Sequence, residues 1–110
     1  MTVNELSQRL GAEIVAGHEG ADSEVKCGYC GDLLSWVMGR AGSGAAWVTV
    51  MGNVNAIAVA VLADISCIVL AESSTLDDEA KTKADEQGIA VLKSNCTQFD
   101  LCAAIDKLIK

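Results

Sequence analysis

The sequence has no proline, a single histidine and few aromatic residues: two Trp, one Tyr and one Phe, 4% of 110 positions. Without proline there is no cis-prolyl turn of the kind the thioredoxin fold sets beside its dithiol. With so few aromatics, the core must be built from Ala, Val, Leu and Ile. Basic residues are also scarce. Eight Lys and Arg stand against 15 Asp and Glu, a net charge of −7, and such a surface repels phosphate backbones, which excludes nucleic acid as a partner. Long apolar runs are missing too. The most apolar stretch, residues 54–62, is nine residues long and stops at Asp64, far short of the 18 or so that a membrane helix requires. The opening Met1-Thr2-Val3-Asn4-Glu5 lacks a basic start followed by an apolar block, so no secretory signal is visible. Five cysteines, an odd number, do not resemble a stapled secreted scaffold. The expectation is a cytoplasmic protein with free thiols and no membrane contact.

What is present describes a globular α/β protein. Hydrophobic residues make up 51% and charged residues 21%, with mean hydropathy +0.33, and a chain of this length holds one core and one domain. Thr2-Val3-Asn4-Glu5 reads as a capping box opening a helix that Gly11 stops. Residues 12–16 and 25–30 read as short extended pieces that extend a sheet at one edge, with turn composition between them. Asp32 is placed as the N-cap of a short helix with Leu33, Leu34, Trp36 and Val37 on its inner side, ending at Gly39. From residue 46 onward the order alternates: strand 46–50, helix 56–63 capped by Asn53 or Asn55, strand 67–70, a polar helix opened by Asp77-Asp78-Glu79 and closed by Gly88, and strand 89–92. Thr97 caps a last helix with Phe99, Leu101, Cys102, Ile105, Leu108 and Ile109 on its apolar face. The helix at 56–63 is apolar all round and is expected to be covered on most sides. Alternation with short loops specifies a single-domain, three-layer α/β/α sandwich with a mostly parallel sheet and right-handed crossovers.

Candidate chemistry is sparse. Cys27-Gly28-Tyr29-Cys30 has the spacing of a redox dithiol or of half a zinc site. Gly31 and Asp32 separate it from the next helix start, and no second pair at metal spacing accompanies it, so no metal site is assigned. These thiols are read as incidental, with dithiol redox chemistry at Cys27 and Cys30 kept as an alternative. The glycine-rich loop at 39–44 leaves a helix and enters a strand without a lysine, the reverse of a phosphate cradle. His18 has no Cys or Ser beside it and is read as an exposed spectator. No G-x-S-x-G, H-E-x-x-H or Walker pattern occurs, so no catalytic residue and no cofactor is assigned.

The better-placed segment is Met51-Gly52-Asn53-Val54-Asn55, at the carboxyl end of the strongest strand, where open α/β sheets bind ligands. Thr49, Met51, Gly52, Asn53 and Asn55, with Glu72 and Ser73 ending the next strand on the same rim and Asp32 facing it, form the candidate ligand site. Gly52 is read as letting backbone approach a ligand, so that Gly52→Val blocks binding and leaves the fold nearly intact.

At Asp22-Ser23-Glu24-Val25-Lys26-Cys27-Gly28-Tyr29, then Asp32-Leu33-Leu34-Ser35 and Val37-Met38-Gly39, the chain resembles a DRTGG domain. The resemblance covers nearly the whole length and is strongest at Asp32-Leu33-Leu34-Ser35. In the eponymous motif Asp22 and Gly28 fit, while Ser23, Lys26 and Cys27 depart from it. DRTGG domains accompany CBS domains and phosphotransacetylases and are similar to the N-terminal domain of HPr kinase/phosphorylase. The resemblance implies a small α/β/α sandwich with a regulatory or ligand-sensing role and no catalysis of its own. The function expected is therefore a non-catalytic sensor for a small metabolite or nucleotide. The alternative is a structural dimerisation or adaptor module docking on a partner enzyme. A homodimer is expected in either case.

Overall fold

Thr2 caps α1 (Val3–Leu10) in the expected capping box, with the Glu5 amide donating to Thr2 Oγ1 at 3.1 Å and the Thr2 amide to Glu5 Oε1 at 3.0 Å. Gly11 ends the helix at φ 64°. The computed structural model describes residues 1–110. After α1 come β1 (Glu13–Ala16), a 3-10 turn at His18–Asp22, β2 (Cys27–Cys30), α2 (Leu34–Arg40), β3 (Ala45–Thr49), α3 (Val54–Leu62), β4 (Cys67–Leu70), α4 (Asp78–Gln87), β5 (Ala90–Lys93) and α5 (Gln98–Ile109). The five strands form one sheet in the order β1-β5-β4-β3-β2. The four from β2 to β5 are parallel, and β1 runs antiparallel to β5. This is the α/β sandwich expected, with one correction: the two N-terminal strands do not share an edge but form opposite edges.

The two faces have separate cores. Val37 of α2, Ala56, Ile57 and Ala60 of α3, and Ala80 and Ala84 of α4 pack on one face against Trp47, Ile68, Leu70 and Val91. Val3 and Leu6 of α1 and Leu101 and Ile105 of α5 pack on the other against Ala46, Val48, Val69 and Leu92. Strand positions on both faces are apolar because both are covered, which is why β3, β4 and β5 read as continuous hydrophobic runs.

The distribution of helices follows from connectivity. Strands β2 to β5 lie in sequence order, so every right-handed crossover between them steps the same way and puts α2, α3 and α4 on one face. The strand order does not reverse between β3 and β4, and open α/β sheets open their ligand crevices at such a reversal.

Three packing expectations are corrected. Helix α3 buries only one stripe, and Val61 and Leu62 remain exposed, Leu62 at 72%. Helix α2 is seven residues long and reaches the core through Val37, so Leu33 and Trp36 lie outside, with the Arg40 guanidinium stacked over the Trp36 ring at 3.8 Å. Phe99 is 81% exposed, although it lies on a helix whose other apolar positions face the sheet. No helix is long and apolar enough to cross a membrane.

Candidate functional site

The carboxyl edge of the sheet divides into two halves. In the first, Asp32 is not the N-cap of α2. That place belongs to Leu33, and no side chain caps the helix. The Asp32 carboxylate turns instead toward β3, where Oδ1 accepts from Thr49 Oγ1 at 2.6 Å and from the Val50 amide at 3.0 Å. Gln98 Nε2 donates to Oδ2 at 3.3 Å, and Gln98 Oε1 accepts from Cys30 Sγ at 3.1 Å. Burial would raise the Asp32 carboxyl, but hydrogen bonds from Thr49, Val50 and Gln98 outweigh it and hold the group below the ordinary aspartate range. The rim therefore carries its own anion, already bonded to the free amide that an incoming phosphate would seek. Thr49 is fully buried beneath it.

In the second half, the loops after β3 and β4 converge. The Asp77 amide donates to the Gly52 carbonyl at 2.9 Å. A Cβ on Gly52 would lie 2.0 Å from the Thr75 carbonyl oxygen and 3.1 Å from Leu76 Cα. The close approach that demands glycine is thus to Thr75 of the same chain, which corrects the reading of Gly52 as room for a ligand and of Gly52→Val as harmless to the fold. Both loops bend toward the face that holds α3 and α4, so they meet where a strand-order reversal would have parted them. Asn53 caps α3, accepting from the Ala56 amide at 2.9 Å; Met51 and Asn53 are half-buried, while Asn55 is exposed. Glu72 and Ser73 sit on the loop after β4 with consecutive left-handed φ values of 55° and 58°. That conformation lets their amides reach the carbonyls of Cys96 and Ser94 at 2.8 and 2.9 Å. Two such residues in succession are strained, and strain of this kind clusters at functional sites. Asp32 and Thr49 are thus brought together with Gln98, and Glu72 and Ser73 with residues 94–96, rather than all eight converging on one hollow.

A groove of about 430 Å³ lies on the other face, between α5 and the β2–β3 edge. Side chains along β2 alternate. Cys27 and Tyr29 face the α2–α3–α4 layer, whereas Gly28 and Cys30 face α5. Gly28 stands opposite Ala46 in the parallel register, and these small residues leave the floor low beneath Ile105 and Ala103 of α5. A Cβ on Gly28 would meet Ile105 Cγ2 at 3.5 Å, an ordinary contact. Phe99 and Cys30 border one end, next to the Asp32–Gln98 network, and Asp106 and Ile109 the other. Sequence reasoning missed this groove. Its signal was the pairing of Gly28 with Ala46, visible only once the strand register is known.

The same alternation separates Cys27 from Cys30. They lie on opposite faces of a strand, and Cys27 Sγ donates to the Ser43 carbonyl at 3.8 Å, so the dithiol alternative at Cys27 and Cys30 is corrected. Cys67 is fully buried, and burial pushes its thiol up to about 12. No group of three or more His, Cys, Asp or Glu side chains is placed to hold a metal ion.

No family model matches the chain, and no curated protein matches it in sequence. In fold it is similar to the CBS and DRTGG domains of the regulatory region of Clostridium perfringens pyrophosphatase, a structure complexed with the activator diadenosine tetraphosphate. The TM-score is 0.73 at 14% identity, over 94% of this chain. The chain spans less than half of that neighbour, 45% of its length. The fold is therefore DRTGG-like.

Proposed function

We propose that the chain is a non-catalytic regulatory domain that binds a small organic ligand along the groove between α5 and the β2–β3 edge, with Asp32 and Gln98 at the ligand's polar end. The observation that carries this reading is the groove itself: about 430 Å³, within the range of small-molecule sites, mostly apolar and bordered at one end by a few fixed polar groups. An ionised Asp32 and a net charge of −7 favour a flat apolar ring bearing hydrogen-bond donors, such as a nucleobase, over recognition of phosphate alone. The nucleotide activator bound by the pyrophosphatase regulatory region makes nucleotides the first class to test.

The test is calorimetric titration with adenosine, AMP, ATP and diadenosine tetraphosphate, on the native chain and on Ala103→Trp, which fills the groove from an exposed helical position. The expected result is saturable binding of at least one compound, weakened tenfold or more by the variant. Absence of binding across the panel, or equal binding by a folded Ala103→Trp protein, overturns the reading.

A second ligand position on the loop after β4, at Glu72 and Ser73, is favoured by the strained backbone there. Pairing with a second copy is proposed on a separate observation: Leu33, Trp36, Leu62 and Phe99 are each more than half exposed. A homodimer burying about 1,000 Å² or more is expected, and sedimentation as a monomer at tens of micromolar contradicts it.

A further inference from the structure

Cys30 and Cys102 are 72 positions apart and share no sequence motif, yet they border the same groove. Cys30 projects from β2 toward α5, where its Sγ donates to Gln98 Oε1 at 3.1 Å. Gln98 lies four residues before Cys102, so the two occupy one stripe of the helix. The Cys30 thiol is exposed and the Cys102 thiol half-buried. Of the remaining thiols, Cys67 is enclosed in the core, Cys27 lies on the other side of the sheet, and Cys96 is in the loop before α5.

We propose that Cys30 and Cys102 are an oxidation site, forming a reversible intrachain disulfide that ties the edge strand β2 to α5 across the end of the groove. The oxidant is a low-molecular-weight disulfide, RSSR. The Cys30 thiolate attacks one sulfur of RSSR, expels RS⁻, which takes up a proton, and leaves a mixed disulfide on Cys30. The Cys102 sulfur, losing its proton to solvent, then attacks Cys30 Sγ and expels the second RS⁻. In sum, two protein thiols and one RSSR give one protein disulfide and two RSH, with two electrons passing from the cysteines to RSSR. Burial and the neighbouring Cys30 push the Cys102 thiol up to about 11. The first attack therefore belongs to exposed Cys30, and Cys102 acts as the resolving thiol. Closure of the groove as a consequence rests on the ligand reading above; formation of the bond does not.

The experiment incubates the folded protein with oxidised glutathione and maps its disulfides by mass spectrometry. Trypsin leaves Cys27 with Cys30 in residues 27–40 and Cys96 with Cys102 in residues 94–107, so the map is made in a Cys27→Ser, Cys96→Ser background as well as in the native chain. The expected result is a link between the two peptides in both proteins, loss of two of the five thiols, reversal by dithiothreitol, and a glutathione adduct trapped on Cys30 in Cys102→Ser. A persistent adduct on Cys30 with Cys102 intact, links only between chains, or loss of the link in the double-serine background overturns the proposal. No ligand enters this experiment, so its failure is distinct from failure of the ligand reading.

Discussion

Gly52 gives the sharpest test of how the carboxyl edge is built. Replacing it with Ala sets a Cβ 2.0 Å from the Thr75 carbonyl oxygen and 2.9 Å from its carbon, so backbone must move by more than an ångström to restore contact distance. That movement breaks the Asp77 amide bond to the Gly52 carbonyl, 2.9 Å long, worth about 1 kcal/mol net. Overpacking adds about 1–3 kcal/mol. The expected loss for Gly52→Ala is therefore about 2–4 kcal/mol, and more for Gly52→Val. Near 110 residues this corresponds to a fall in Tm of roughly 8–16 °C. The control is Gly39→Ala. A Cβ there meets nothing within 4 Å, and the position lies in α2, so the change gains up to about 1 kcal/mol of helix propensity. Both are read by urea and thermal unfolding followed by circular dichroism. A Gly52→Ala protein melting within 2 °C of native would show that the loops after β3 and β4 do not close on each other as described.

Asp32→Asn keeps the shape of the side chain and removes its charge, at a cost of about 1 kcal/mol at pH 7. The native carboxyl is held below its ordinary value of 3.8, so its contribution is present above that value and lost as pH falls through the native one. Denaturation of native and variant should converge in acid, and a difference that widens on acidification contradicts the hydrogen-bond assignment. Gly28→Ala meets Ile105 Cγ2 at 3.5 Å without backbone conflict. It should stabilise the edge strand by roughly 0.4–1 kcal/mol while shrinking the groove, and a lowered denaturation midpoint contradicts an open floor.

The fold was legible because its signals are local. Alternating strands and helices, the Thr2, Asn53 and Thr97 caps, and the stops at Gly11 and Gly88 each follow from neighbours in sequence, and each is present. The failures are tertiary. Asp32 beside Leu33 and Leu34 reads as a cap, but Thr49 at the end of β3 and the Val50 amide just beyond it offer the carboxylate two stronger donors. Trp36 and Phe99 read as core by periodicity, yet α2 is too short to bury more than Val37, and α5 turns Phe99 toward the groove mouth. The candidate site was placed at the right edge of the sheet for a topology with a strand reversal, and strands β2 to β5 in sequence order have none. Cys30 and Cys102 meet only through the packing of α5 on β2.

Occupation of the groove between α5 and the β2–β3 edge is read residue by residue by amide chemical-shift mapping of the isotope-labelled chain during titration with the tightest-binding nucleotide or nucleoside. The perturbed amides are expected to cluster at Gly28, Cys30, Ala46, Ala103 and Ile105, with Asp32 and Gln98 at one end, and Ala103→Trp is expected to abolish the pattern. Shifts confined to Gly52, Asn53, Asn55, Glu72 and Ser73 would place the ligand on the other half of the edge and contradict occupation of the groove.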